Sequence, residues 1–582
     1  MKRHKLFATA LIMATMSISF GSCDLDETPE SFISPDQMGD SKEAANQWVT
    51  GVYSKWINNI FCYDELPRYL EIDADYVAGP DWLFKYMGSG NFQAELYLDK
   101  MWSGPYNLIM RGNVARRYLA QMTIDEEYKN NCIGEVEFNQ AMAYFLLVRA
   151  YGGVPVIDNA VDDGGDFQNP RQSVDSVYNK IIELLTDAQE KMYHIDDTRF
   201  TRGHVSAGSA AGLLAKVYAT MAAAAKPAGT EVIVRTGPAY DPNGSLDANG
   251  EVNYTDLQAM TFNKRAVAGY EEMNSDELYR KASYWAKKVI DGEYGDYQLL
   301  AYDELWKKAH NNDPEFMFSV GAVNGDATYK NGIHTYYEGY TNGQTEFIQS
   351  GGWIGCTDHW YKLFDKDDYR ITEGVKHRWR YYYHEEKNMG FYYPYTEQQC
   401  IKATGYDFSG NKVGNGRPKA PYNDGVTYYY SKVNGQCLAF TTKYSDVTDE
   451  STGFADAQWP FLRYADVMLI YAEAENELGN QDEAMKYLNK IRKRSNATLM
   501  TVPGNQVQMR SAILEERAKE LACEGDRRWD IIRWGIYLDC MNAVGHDDAN
   551  NVKSRTERNL LYPIPVDEVN TNKYIEQNPG WQ

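Results

Sequence analysis

Apolar residues return every three or four positions in one stretch of this chain after another. That periodicity commits the chain to stacked amphipathic helices rather than to a sheet. Phe138, Met142, Phe145, Leu146 and Arg149 share one helical face, and the run stops at Gly152-Gly153 ahead of Val154-Pro155. Val177, Ile181, Leu184, Leu185 and Ala188 make a second stripe, with Ser173 placed to cap it. Ala210, Leu213, Leu214, Val217 and Met221 make a third; Ala282, Trp285, Ala286 and Val289 make a fourth. Near the C-terminus Tyr464, Met468, Tyr471 and Leu478 line a helix that Gly479 ends. Asn480 with Glu483 offers a cap, and Ala484, Tyr487, Leu488 and Ile491 line the next helix. Short helices with one apolar face bury it only against a neighbour. Pairs joined by glycine turns, with Ala and Gly where they cross, therefore predict a mainly α fold of tetratricopeptide-type helix pairs.

The stripes lapse from about residue 226 to 275 and from about 325 to 460, where Gly, Asn, Asp and Tyr dominate. Tyrosine outnumbers phenylalanine 46 to 20, alongside 13 Trp, so aromatic surface with a polar handle is in excess. Long aromatic loops with a few short strands, framed by helices, are where function is expected. A net charge of −23 repels nucleic acid and removes it as a partner.

The N-terminus is basic through Lys2, Arg3 and Lys5, then apolar from Leu6 to Phe20, then Gly21-Ser22-Cys23. This is a secretory signal too short to span a bilayer. The cysteine after Gly-Ser matches a bacterial lipobox: cleavage after residue 22 leaves Cys23 as an N-terminus carrying diacylglycerol and an amide-linked acyl chain, enough to anchor stably. An ordinary cleaved signal with an incidental cysteine is the alternative. Residues 23–40 then form an acidic tether. Seven further cysteines, an odd number without C-x-x-C spacing, oppose a disulfide scaffold and a zinc ribbon; at most a few bridge, in no assignable pairing.

Sugar recognition needs a flat aromatic face for the C–H side of a pyranose, with amides, carboxylates or guanidinium groups for the hydroxyls. Two turn-rich segments supply both. One runs from Asp73 through Asp75, Asp81, Trp82 and Tyr86 to Asn91; the other surrounds Trp353 with Gly351, Gly352 and Gly355. Candidate ligand-binding residues are Trp82, Tyr86, Asp75, Asp81, Asn91 and Trp353, whereas Trp102, Tyr106, Trp285 and Trp529 are expected to pack. Lys376-His377-Arg378-Trp379-Arg380 is locally basic and reads as a solvated strand, or else as a reader of acidic sugars. Ser245 to Asp256 has the spacing of a calcium loop, which makes Asp247, Asn249, Glu251 and Asp256 candidate ligands of a structural Ca2+. Ser at position one and Asp at position twelve depart from the ideal. No cofactor is otherwise required.

The motif Glu516, Arg517, Glu520, Glu524, Asp526, Arg527, Arg528 and Asp530 is the nearest thing to a catalytic cluster. Its glutamates share one helix face, whereas glycoside hydrolysis needs two carboxyls facing across a cleft, so the motif reads as a structural ion-pair network. His384-Glu385-Glu386 lacks a second histidine, and no nucleophile elbow or nucleotide loop is present. The chain is therefore expected not to be an enzyme.

Trp102-x-x-x-Tyr106-x-x-Ile109-x-x-x-Asn113, Gly134-Glu135-x-x-Phe138 running into Arg149-x-Tyr151-Gly152-Gly153-Val154-Pro155, Arg202-Gly203-His204-Val205, Arg463-Tyr464-Ala465-Asp466-Val467, Glu516 to Asp530, Arg533-Trp534-Gly535, Leu561-Tyr562-Pro563-Ile564-Pro565 and Asn578-Pro579-Gly580-Trp581 stand in one order along the chain. Together with the lipobox, this ordered set resembles the SusD/RagB family. The resemblance implies a SusD-like fold and an outer-membrane, surface-exposed, lipid-anchored protein. Such a protein captures oligo- or polysaccharide and sits as a lid on a SusC-like TonB-dependent transporter, without catalysis. A peptide- or other nutrient-binding lid and, behind it, a surface glycoside hydrolase are the alternatives. The implied layout is a signal peptide at 1–22, the tether at 23–40, a helical-repeat region at 41–300 and a C-terminal region with ligand loops at 301–582, the last two forming one composite unit.

Overall fold

The computed structural model describes residues 38–581 except 62–64, 96–97, 160–167, 238–256, 327, 342–346, 381–388, 394–426, 431, 434–435 and 546–551. Cys23 and the calcium candidates Asp247, Asn249, Glu251 and Asp256 lie outside the described residues.

Helix α1 (Lys42–Lys55) opens on Ser41, whose hydroxyl accepts from the Ala44 N–H. Two short helices, α2 (Glu65–Glu71) and α3 (Asp81–Phe84), precede the frame. The frame is α4 (Lys100–Gln121), α5 (Glu126–Tyr151), α6 (Val174–Lys191), α7 (Ala207–Ala225) and α8 (Ser275–Ile290), each packed on the next. After the short α9 (Ile333–Tyr337) come α10 (Tyr464–Glu477), α11 (Gln481–Arg494), α12 (Gln506–Glu520) and α13 (Arg527–Arg533). Helix α10 returns to pack on α7 and α8 as well as on α11 and α12, so one apolar core draws on both halves of the chain.

Local chemistry sets these boundaries. Asp125, Ser173 and Asn274 each accept from a backbone N–H three residues on, and Ser206 with Ser209 and Asn505 with Gln508 form reciprocal capping boxes. The expected cap of α11 is corrected: Asn480 occupies the position but makes no side-chain capping bond, and its side-chain amide donates to Glu475 Oε2 at 2.7 Å. Trp102, Tyr106 and Trp529 are buried as packing residues, and Trp285 is half-buried against the core.

The strands include β1 (Val77–Ala78), β2 (Glu231–Thr236), β3 (Gln258–Asn263), β4 (Phe316–Val320), β5 (Gly355–Thr357), β6 (Lys432–Val433), β7 (Gln436–Ala439) and β8 (Trp459–Arg463), besides a three-stranded sheet that contains Arg378–Trp379 and a short pair of Tyr340–Thr341 with Ile348–Ser350. The numbered strands make a four-stranded sheet in the order β1-β5-β7-β6 and two-stranded pairs β2-β3 and β4-β8. The aperiodic stretch after residue 226 thus contains a hairpin rather than loop alone. The basic stretch at 376–380 is also corrected. His377, Arg378 and Trp379 are buried, and Lys376 pairs with Glu338 at 2.8 Å, so this is an interior strand and not a solvated one.

The charged C-terminal motif lies inside the molecule. Arg463 binds Glu315, Glu520 and Glu524 at 2.8 to 3.0 Å; Arg370 binds Asp368 and Glu516 at 2.7 Å; Arg517 bridges Asp466 at 2.6 Å and Asp530 at 2.8 Å. Burial alone raises a carboxyl pKa, but Arg494, Arg463 and Arg370 around Glu520 more than reverse this and hold it well below the usual carboxylate range. Its carboxylates face guanidinium groups rather than one another across a cleft.

Candidate functional site

Two segments far apart in sequence are stitched together by β1 and β5, which pair antiparallel with Val77 opposite Cys356 and Ala78 opposite Gly355. Trp82 follows β1 on the first turn of α3, and Trp353 precedes β5. Pairing the strands brings the two rings edge to face, with centroids 4.9 Å apart and planes at 87°. Trp82 is 50% exposed, whereas Trp353 is half-buried.

The Trp353 loop is held by its backbone. Trp353 N–H and Ile354 N–H both donate to Tyr336 O, at 2.7 and 3.0 Å, and Gly352 N–H donates to Thr335 O at 2.8 Å. This path needs left-handed backbone at Gly351 (φ +110°) and Gly352 (φ +65°). The close approach of the first segment also needs a glycine: a Cβ on Gly79 would stand 2.3 Å from Trp353 O and from the Phe84 ring.

The same hydrogen bonds set Tyr336, on α9, edge to face against Trp353, with centroids 5.1 Å apart and planes at 86°. Arg68 of α2 donates from Nε and Nη2 to the Tyr336 hydroxyl at 3.1 and 2.6 Å, and its Nη1 stands 3.5 Å from Glu95 Oε1. Burial pushes the Glu95 carboxyl up from its ordinary value, against the pull of Arg68. Three aromatic rings, each perpendicular to the next, thus step from surface to interior: Trp82 is exposed, Trp353 half-buried, and Tyr336 buried with Glu95 beside the half-buried Arg68. The larger cavities lie elsewhere. One of about 420 Å³ sits among Val148, Ala224, Tyr270, Trp529 and Leu560, and none of the three rings lines it.

The predicted site residues divide. Trp82 and Trp353 come together. Asp81 and Asn91 are exposed on the Trp82 segment; Tyr86 is half-buried beneath Lys85, whose Nζ is 4.8 Å from the ring centroid. Among the described residues, Tyr86 makes no ring contact with either tryptophan. Asp75 is corrected: it is buried, and its two oxygens accept from Arg527 at 2.8 and 2.6 Å, leaving a structural ion pair and not a ligand contact. Tyr336, Arg68 and Glu95 were not singled out from sequence. Tyr336 lies within the aperiodic, tyrosine-rich stretch from about 325 to 460, but nothing local marks Arg68 or Glu95. Among the described residues no cluster of three or more His, Cys, Asp or Glu side chains is arranged for a metal ion, and no helix is long and apolar enough to cross a membrane.

Residues 297–581 match the family model described as SusD family, and residues 25–219 match one described as starch-binding associating with outer membrane. SusD-like protein P2 of Formosa agariphila is 24% identical over 601 residues, covering 100% of both chains. Starch-binding protein SusD of Bacteroides thetaiotaomicron is 29% identical over 201 residues, 32% of this chain and 33% of its own. Among solved structures, a SusD homolog from Bacteroides thetaiotaomicron superposes with a TM-score of 0.67 at 20% identity, covering 95% of this chain and 100% of its own. A laminarin binding SusD-like protein gives 0.63 at 20% identity, covering 93% and 100%.

Proposed function

The chain belongs to the SusD family, and from that premise we propose that it is a non-catalytic lipoprotein of the outer-membrane surface. In this reading it is anchored through Cys23, captures an oligo- or polysaccharide, and delivers it to a SusC-like TonB-dependent transporter. The observation that carries the reading is the surface pair of Trp82, exposed, and Trp353, half-buried, braced from inside by the buried Tyr336 with Arg68 and Glu95 behind it. The two tryptophans offer apolar ring surface for the C–H side of pyranoses, and Asp81 and Asn91, exposed on the Trp82 segment, offer acceptors and a donor for hydroxyls. Because the two tryptophan rings meet at nearly a right angle, the pair fits a glycan that bends along its length better than a flat ribbon. Starch and laminarin, named for two of the relatives, are bent glucans and head the ligand panel. A few aromatic contacts of about 1 kcal/mol each beyond area burial give dissociation constants of roughly micromolar to millimolar, weak enough to hand cargo on.

The test is native affinity electrophoresis of the soluble chain starting at residue 24. The gels contain starch, laminarin, a flat β-1,4-linked glucan and an acidic polysaccharide, with reducing ends assayed in parallel. Retardation by a bent glucan without sugar release is the expected result. Release of reducing sugar would make the protein a glycosidase, and no retardation by any glycan would leave the peptide- or nutrient-binding lid.

A further inference from the structure

Behind the aromatic rings two thiols meet that no pairing rule in the sequence connects. Cys356, on β5 three residues after Trp353, and Cys523, in the turn between α12 and α13, have Sγ atoms 3.6 Å apart across a separation of 167 residues. Each side chain is only 1% exposed. Both backbones are fixed independently of the thiols. Cys356 pairs with Val77 on one side and Ala439 on the other, while Cys523 donates its N–H to Glu71 Oε1 at 3.1 Å and accepts from the Tyr444 hydroxyl at 2.6 Å.

Cys523 is also costly where it stands. Among the described residues only three that are not glycine have positive φ: Asn312, Asn496 and Cys523 at +61°. Asparagine tolerates the left-handed region through its short polar side chain; cysteine has no such local gain. A cysteine held against its backbone preference, with its sulfur aimed at a second buried sulfur, points to a role for the sulfur itself. The compartment agrees, because a protein associated with the outer membrane is made through the bacterial periplasm, where disulfides form and persist.

We propose that Cys356 and Cys523 are joined by a disulfide in the exported protein, a covalent tie between the strand that follows Trp353 and the α12–α13 turn. The chemistry is thiol–disulfide exchange with a disulfide-bearing protein oxidant of the cell envelope. One cysteine, as its thiolate, attacks the oxidant's disulfide, forming a mixed disulfide and expelling one oxidant thiolate. The second cysteine, as its thiolate, attacks the chain's own sulfur in that intermediate; the Cys356–Cys523 bond forms and the second oxidant thiolate leaves. Two electrons and two protons end on the oxidant as a dithiol. Bond formation closes the contact from 3.6 Å to the roughly 2.05 Å of a disulfide. Both thiols are inaccessible once β5 and the α12–α13 turn have packed, so the exchange occurs during folding.

The test uses the full chain extracted from envelopes of the producing cell, denatured in N-ethylmaleimide and digested without reductant for peptide mass mapping. The expected result is one linked pair joining the Cys356 and Cys523 peptides, two hydrogens lighter than their sum and separated by dithiothreitol, with neither cysteine alkylated. The same chain folded in a reducing cytoplasm is expected to be alkylated at both positions, and only after unfolding. Alkylation of both cysteines in the envelope material, or linkage of either to a different cysteine, overturns the assignment.

Discussion

At the scale of single residues, the two tryptophans are not equivalent although they touch. Trp82 stands half out of the protein on a short helix, so Trp82→Ala is expected to weaken glycan binding about tenfold, near 1.4 kcal/mol, while leaving the melting temperature unchanged. Trp353 also packs on Tyr336, so Trp353→Ala is expected to cost a similar factor in binding and a further 1 to 2 kcal/mol or so of stability. Isothermal titration against the retarding glycan and thermal melts of both variants separate the two effects; equal melting would show that Trp353 does no packing. Composition made these tryptophans legible, because a large aromatic among glycines is hard to bury. Asp75 misled for a related reason: it sits in the same polar segment, but its partner Arg527 is hundreds of residues away, and only the folded chain reveals the pair. Arg68 and Glu95 were invisible for the same cause, since their significance is a hydroxyl and a distance supplied by α9.

Elements carry information that residues do not. The stripes that predict α5, α6 and α7 are real because their caps and faces agree, whereas Asn480 makes no cap and instead donates its side-chain amide to Glu475. The interior strand at Arg378–Trp379 was unreadable, because a basic run becomes buried only when acidic partners such as Glu338 arrive from other elements. One junction gives a pH signature. His204, ahead of α7, places Nδ1 2.7 Å from Glu135 Oε2 on α5, and the Tyr53 hydroxyl of α1 donates to the same oxygen at 2.9 Å. Burial lowers the His204 pKa, but the bond and charge of Glu135 outweigh it and raise the group above its ordinary value. The stability it contributes is therefore complete below the unfolded value of about 6.5 and is lost as pH rises through the raised folded value. His204→Gln should narrow the urea-midpoint gap to wild type between about pH 6 and about pH 9; a pH-independent gap would reject the linkage. Another junction is steric. Gly79→Ala is expected to push β1 from the Trp353 loop, lowering glycan affinity as far as loss of a tryptophan does, with helical circular dichroism intact.

For the whole molecule, part of the buried ionic lattice responds to acid. Burial raises Glu520, Asp73 and Asp530, but arginines more than reverse it: Arg494, Arg463 and Arg370; Arg528 and Arg555; Arg517 and Arg533; Glu315 and Asp526, where burial wins, are raised and act in the opposite sense. Depressed carboxyls stabilise fully above their unfolded values near 4 and lose that contribution as pH falls through the folded values. Unfolding in acid should thus be steep and take α10, α12 and α13 together. Glu520→Gln, which leaves arginines buried without their counter-charge, is expected to cost about 3–5 kcal/mol in urea denaturation. A loss under about 1 kcal/mol would mean that the lattice relaxes around the missing charge.

The tryptophan pair has a consequence for biosynthesis. Arg68 and Tyr336, which brace it, are 268 residues apart, and β1 reaches β5 only after most of the chain has emerged. A chain that ends before the Trp353 loop and β5 carries Trp82 without Trp353, so on the proposed reading it binds glycan about as weakly as a variant that lacks one tryptophan.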